Sequence, residues 1–145
     1  MYKHILLPTD GSRITQNAIA EGIALAKSIG ARVTGIHVTA PFHVFTANPL
    51  MMADTENEYD AETETISADV LSVIEKLARE KQVVFKGVHA RGERPWEEII
   101  KTADAEGCDL IMMASHGRTG VAGVLIGSET QKVLTHSKIP VLVTR

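Results

Sequence analysis

The stretch Asp109-Leu110-Ile111-Met112-Met113-Ala114-Ser115-His116-Gly117-Arg118-Thr119-Gly120-Val121-Ala122-Gly123-Val124-Leu125-Ile126-Gly127-Ser128 decides how this chain folds. Its first part, Leu110 to Ala114, is a continuous apolar run of strand length, the pattern of a strand buried on both faces. Its second part carries glycines at 117, 120, 123 and 127. Where a strand hands over to a helix, glycine lets backbone N–H groups approach an anion closely. The stretch therefore predicts a buried strand feeding a phosphate-binding loop, with a nucleotide as the expected ligand.

Outward from this stretch, short apolar runs alternate with longer segments of helical period. The strands read as His4 to Leu7 stopped by Pro8, Val33 to Val38, Val83 to Ala90, Leu110 to Ala114, and Pro140 to Val143. Such alternation predicts an α/β domain built on a parallel sheet with helices on both faces. The first helix presents Ile14, Ala18, Ala24, Leu25 and Ile29, begins at a cap from Ser12 or Thr15, and ends at Gly30. Pro95 suits the first position of a helix carrying Ile99, Ile100 and Ala103, with Gly107 beyond its end. Ser128-Glu129-Thr130-Gln131 has the form of a capping box, which makes Ser128 the expected N-cap of the last helix. Between Thr39 and Ala53 no period is visible, so a long connection is expected there, either a binding loop or a segment tucked against the domain edge. Seven acids follow, Asp54, Glu56, Glu58, Asp60, Glu62, Glu64 and Asp69, with no base among them. They read as the solvated first half of a helix reaching Leu77 and Lys81, favoured near its N-terminus by the dipole.

The chain has 145 residues, the size of one domain, and a single domain over 1–145 is expected. Hydrophobic residues at 44% and charged residues at 23% place it among globular proteins rather than disordered or fibrous ones. Fifteen basic and 18 acidic residues leave a net charge of −3, so no positive field invites nucleic acid. No apolar run approaches the length of a membrane span, and the first residues lack the apolar core of a signal peptide. With Cys108 as the one cysteine, a reducing, cytoplasmic setting is expected, and the thiol reads as a small inert hydrophobe.

In a doubly wound sheet, ligands bind where loops at the carboxyl ends of neighbouring strands frame a crevice. Two loops have suitable content. Pro8-Thr9-Asp10-Gly11-Ser12 follows the first strand, and Asp10 offers a carboxylate to sugar hydroxyls or a divalent ion. Taken alone, Asp-Gly is a strong turn pair, so by itself Asp10 suits capping its own turn better than holding a ligand. The glycine segment offers N–H donors to phosphates, and the helix start at Ser128 is itself an anion site. The Walker pattern and the Gly-x-Gly-x-x-Gly fingerprint are both absent, as are His-Glu-x-x-His, zinc-spaced Cys/His pairs and Gly-x-Ser-x-Gly. His116 stands in the loop without an orienting partner or nucleophile beside it in sequence. It suits a bracing hydrogen bond better than the role of general base.

These residues resemble the universal stress protein family over essentially the whole chain, from Ile5-Leu6-Leu7-Pro8-Thr9-Asp10-Gly11-Ser12 to Ser137-Lys138-Ile139-Pro140-Val141-Leu142-Val143. The family's ATP-binding branch is marked by Gly, two residues, Gly, nine residues, Gly, then Ser or Thr. Here that pattern falls on Ala114, Gly117, Gly127 and Ser128, with alanine in place of the first glycine. The resemblance implies a doubly wound five-stranded parallel sheet in the order 3-2-1-4-5, a flavodoxin/Rossmann-like fold that binds adenine nucleotide. It implies ATP as the ligand, with Mg²⁺ the ion considered beside it. Pro8, Thr9 and Asp10 would lie against adenine and ribose, Asp10 on the ribose hydroxyls. Val38 would present backbone groups to adenine, while Met113 and Ala114 would flank base and sugar. Gly117, Gly127, Ser128, Glu129 and Thr130 would surround the triphosphate, with His116 bracing the same loop.

The resemblance also implies a homodimer through the fifth strand. Local chemistry agrees, since Pro140 suits an edge strand and Val141-Leu142-Val143 is an apolar edge that would be hazardous if left bare. Three functions are expected to compete. One is an ATP-binding regulatory protein of the stress response, in which occupancy orders the Thr39 to Ala53 connection. Another is a slow ATPase or phosphotransferase using Asp10 with Mg²⁺ and Ser128 near the γ-phosphate, and the third is a nucleotide-free dimeric interaction module. The first leads, because the phosphate loop is nearly complete while the sequence names no general base.

Overall fold

The strands β1 (His4–Thr9), β2 (Arg32–Thr39), β3 (Phe85–Arg91), β4 (Leu110–Ala114) and β5 (Val141–Thr144) pair in parallel in the order β3-β2-β1-β4-β5. Between them run α1 (Arg13–Ile29), α2 (Pro49–Glu80), α3 (Pro95–Glu106) and α4 (Ser128–His136). This is a computed structural model; it describes residues 1–43, 49–116 and 126–145, and the backbone alone for 49–54.

Strand alternation sorts the core into two layers. Ile5, Leu7, Val33, Leu110 and Met112 face α1 and α2, where they meet Ile19, Ile23, Ala26, Ile74 and Ala78. Leu6, Ile36, Ile111 and Met113 face α3 and α4, where they meet Ile99, Ala103 and Val133. The central strands are therefore apolar on both faces, which is why they read as continuous runs. Both α1 and α3 end as expected, on Gly30 at φ 69° and Gly107 at φ 67°, left-handed C-caps whose N–H groups return to the last turn.

Several expectations need correction. β1 does not stop at Pro8 but runs through it, with Pro8 opposite Ile36 and Thr9 opposite His37. The β1–β4 ladder covers only Ile5–Leu110 and Leu6–Ile111, so by Pro8 the strand is paired on one side and tolerates a missing N–H. In α1 the buried stripe is Ala18, Ile19, Ile23 and Ala26, while Ile14 and Ala24 face solvent. The small residues of α1 had blurred the phase of its apolar face. α2 begins at Pro49, inside the expected connection, because proline fits a helix's first turn, where its missing N–H is no loss. Its first turn holds no acid, so the helix dipole does not explain the acidic row. β3 begins at Phe85, leaving Val84 outside the strand and exposed.

The last correction concerns Ser128. α4 has Gly127 as its N-cap, at φ −66° and ψ 154°, with no side-chain cap bond. Gly127 is held extended by its N–H bond to Ser115 O at 2.6 Å, and this anchor fixes the helix start one residue beyond it. Ser128 is thus the first helical residue rather than the cap.

Candidate functional site

Beyond Leu6 and Ile111, β1 and β4 are no longer paired, although β1 continues to Thr9 and β4 to Ala114. Two neighbouring strands that part at their carboxyl ends open the crevice expected at the reversal of strand order. The sequence-predicted residues collect around that opening. Pro8, Thr9 and Asp10 end β1, Val38 lies near the end of β2 beside it, Met113 and Ala114 end β4, and Gly127 to Thr130 start α4.

The β1 side is a closed hydrogen-bonded turn. Asp10 Oδ1 accepts from Ser12 N at 2.9 Å and from the Thr15 hydroxyl at 3.1 Å. Thr9 Oγ1 accepts from Gly11 N at 3.0 Å, and Ser12 Oγ caps α1 by accepting from Thr15 N at 3.4 Å. Gly11 turns the chain at φ 79°, a conformation in which any Cβ is strained, and an added Cβ would also stand 3.1 Å from Val70. Of the two roles left open for Asp10, turn capping is present in Oδ1.

The β4 side is pinned where the glycine segment leaves and returns. Ser115 donates its N–H to Thr144 O at 2.7 Å, and its carbonyl accepts from Gly127 N at 2.6 Å. Thr130 Oγ1 donates to Ala114 O at 2.9 Å from a buried position. A Cβ on Gly127 would lie 3.2 Å from Ser115 O and 3.4 Å from His116 Cα, so a side chain there would have to push this backbone back by a few tenths of an ångström. His116 Nδ1 meets Ser115 Oγ at 3.0 Å, the bracing contact expected of it. Its Nε2 is buried and has no hydrogen-bond partner among the described residues. Gly117, Gly120 and Gly123 lie outside the described residues.

Ala114 occupies regular strand, and its φ is not in the left-handed region, so the methyl group there costs the backbone no strain. Glu129 reaches sideways: its Oε2 accepts from Trp96 N at 3.0 Å and its Oε1 from Lys132 Nζ at 2.9 Å. It thereby satisfies an N–H in the first turn of α3, whose own N-cap, Arg94, gives no side-chain bond. Cys108 is buried, and burial first, then the charge of Glu106, pushes its thiol up to about 11, which leaves it unreactive. Among the described residues no group of three or more His, Cys, Asp or Glu is placed to hold a metal ion. No helix among them is long and apolar enough to cross a membrane.

One constellation escaped the sequence reading. On the α2 side of the sheet His37 and His89 are register partners with ring centroids 6.3 Å apart. His37 Nδ1 meets Ser67 Oγ, and His89 contacts Glu64 through Nδ1 at 2.9 Å and Thr39 through Nε2 at 2.7 Å. The hydrogen bond and charge of His89, with help from Arg91, hold the Glu64 carboxyl below its ordinary value. The available signal was a histidine at the same level of two neighbouring strands, both followed two residues later by a polar side chain.

The model of the universal stress protein family matches residues 1–145. Universal stress protein MJ0531 of Methanocaldococcus jannaschii is 30% identical over all of this chain and 83% of its own length. A universal stress protein of Thermus aquaticus, described as lying in the QAH/OAS sulfhydrylase 3′ region, is 30% identical over the full length of both. Among solved structures, hypothetical protein MJ0577 superposes with a TM-score of 0.85 at 32% identity, covering 99% of this chain and 96% of its own. More distant structures share the fold. A universal stress protein in complex with cAMP has a TM-score of 0.69 at 21% identity, covering 99% of this chain and 97% of its own. One from Archaeoglobus fulgidus in complex with dAMP has 0.68 at 17%, covering 99% and 98%. Full-length sequence agreement and full-length superposition lead to one conclusion: the chain belongs to the universal stress protein family.

Proposed function

We propose that this protein binds an adenine nucleotide, ATP in the first place, in the crevice between β1 and β4, and that it works as a dimeric regulatory protein of the stress response. The observation that carries this reading is the parting of β1 and β4 after a two-residue ladder, with a polar turn on one lip and a pinned glycine segment on the other. The donor chemistry fits a nucleotide. The helix start at Gly127 and Ser128 is a ready anion site, and the buried Nε2 of His116, without a partner among the described residues, adds a polar atom at the root of the glycine segment. Related folds bound to cAMP and to dAMP support the choice of adenine. A bound triphosphate would bring Mg²⁺ held largely by its own oxygens and water.

Regulation is favoured over turnover because the carboxylate at the crevice already serves the fold. Asp10 Oδ1 caps its turn by accepting from Ser12 N and the Thr15 hydroxyl, so this oxygen is not poised as a base for water. Nucleotide occupancy is expected to act on the connection leaving β2 at Thr39. The dimer is expected to form through the free edge of β5, where Leu142 is 41% exposed. An apolar groove of about 360 Å³ adjoins that edge, lined by Met1, Tyr2, Leu25, Ile29, Pro140 and Leu142 among others, at the sheet end remote from the crevice. A cytoplasmic setting suits the unpaired Cys108.

Denaturing freshly purified protein and chromatographing the supernatant tests the proposal, since bound adenine nucleotide is expected to be released. Calorimetry with ATP then compares wild type with Gly127→Val. The added side chain should cut affinity at least about tenfold while the far-UV signal stays native. A clean supernatant together with no calorimetric binding by wild type would overturn the nucleotide reading.

A further inference from the structure

The inward face of α2 changes character along its length, and the sheet beneath it changes at the same level. From Val70 onward the inward residues are Val70, Leu71, Ile74, Leu77 and Ala78, all apolar. Ile74 packs over Gly35 beside Phe85, and Leu71 lies 3.5 Å from where a Cβ on Gly87 would stand. Before Val70, among the described side chains of 55–69, the inward residues are Tyr59, Asp60, Thr63 and Ser67, with no aliphatic side chain among them. Opposite them the strands present His37, Thr39, His89 and Arg91 instead of glycine and phenylalanine.

Besides a tilted ring contact between Tyr59 and Phe42, centroids 5.4 Å apart, the ties of the described side chains in this half are polar. Ser67 Oγ meets His37 Nδ1 at 2.5 Å, and Glu64 accepts from His89 Nδ1 at 2.9 Å. Arg91 reaches Asp60 through Nε at 3.6 Å and Glu64 through Nη2 at 3.5 Å, and Nη2 also donates to Asp60 O at 3.3 Å. Tyr59 donates its hydroxyl to Ala40 O at 2.8 Å. The buried Thr63 spends its hydroxyl on its own helix, at Tyr59 O and Asp60 O. The charged groups involved are Glu64 and Asp60 from α2 and Arg91 from β3, with His37 and His89 between them. β1 contributes the uncharged Thr9, opposite His37, and Asp10 beyond it is bonded within its own turn.

Apolar burial holds the second half of α2 to the domain core, because its residues belong to the cluster around Ile5, Leu7 and Val33. Hydrogen bonds and ion pairs lose much less on opening, since water replaces each partner. We propose that residues 55–67 of α2 are a strap closed by a polar catch: this segment opens as a unit, hinged between Ser67 and Leu71, while the second half stays docked. Opening uncovers the row Thr9, His37 and His89 at the strand ends beside the crevice, and it turns the acidic face of α2 away from Arg91. The strap needs no nucleotide to open, so the proposal stands whatever ligand the crevice takes.

Hydrogen exchange by mass spectrometry on the full chain without nucleotide tests it. Amides of residues 55–67 should exchange at least about tenfold faster than those of 71–80, with a step between the two blocks. Glu64→Ala should accelerate the first block several-fold and leave the second unchanged. Raising NaCl from about 0.1 M to about 1 M should do the same to the wild-type protein, by screening the Glu64, Asp60 and Arg91 charges. The double variant Glu64→Leu/His89→Leu, which replaces a polar tie with an apolar one, should slow the first block toward the rate of the second. A smooth rise in rate toward the helix start, as fraying alone gives, would overturn the strap. So would acceleration of both blocks together by Glu64→Ala or by salt.

Discussion

Gly127 and Ala114 show how single positions set the chemistry of the crevice. Gly127 sits in a tight contact, since its backbone lies so close to Ser115 O that a Cβ would stand at 3.2 Å. Ala114 is the departure from the family's ATP-binding pattern, and the strand geometry explains why it folds: its backbone is ordinary β and its carbonyl is occupied by Thr130. Any cost of the methyl group therefore falls on the ligand rather than on the fold. Ala114→Gly is expected to tighten ATP binding in calorimetry while lowering stability by about 0.5–1 kcal/mol in urea unfolding, because glycine gives up more backbone entropy in a strand. Unchanged or weaker binding in that variant would show that the methyl group does not face the nucleotide. At this scale the sequence pointed to candidate residues but not to their partners. Glu129 and Thr130 read as triphosphate neighbours, whereas the fold engages one with Trp96 and the other with Ala114.

Helices and strands show a second kind of dependence, of one element's end on another's side chain. α3 starts without a cap from Arg94, and Glu129 of α4 supplies the missing acceptor. Glu129→Ala should cost about 1 kcal/mol, the usual worth of a helix N-cap, seen as a lower urea midpoint with unchanged slope. α2 depends on β3 in the same way through Glu64. The hydrogen bond and charge of His89 hold that carboxyl below its ordinary value of 4.5 in the folded state. A depressed carboxyl pKa contributes stability that is present above 4.5 and is lost as pH falls through the lower folded value. Between about pH 6 and about pH 3, wild type should therefore lose more stability than Glu64→Gln, which has no proton to take up there. Equal losses in paired urea titrations would count against the contact. Element identity was well marked in the sequence, as β4 at Leu110–Ala114 and α3 from Pro95 show. Element ends were less so, because Gly127 and Pro8 are placed by pairing and anchoring from distant segments.

For the molecule as a whole, the sheet order puts β1 beside β4, and the parting of that pair after two rungs makes the crevice. The same order leaves β5 as an edge, with Leu142 exposed over an apolar groove. Leu142→Lys should shift the protein from dimer to monomer in light scattering after size exclusion, with its circular dichroism intact. A wild type that elutes as a monomer at micromolar concentration would sink the dimer instead. The sequence by itself determined the class of fold and the family, because apolar runs, glycine positions and short motifs are local and survive as text. Only the tertiary structure decided which atoms are spent on holding the site together, where β1 and β4 separate, and that half of the acidic helix rests on histidines. Those facts arise from contacts between residues tens of positions apart, such as Glu64 with His89 and Gly127 with Ser115, and no local pattern records them.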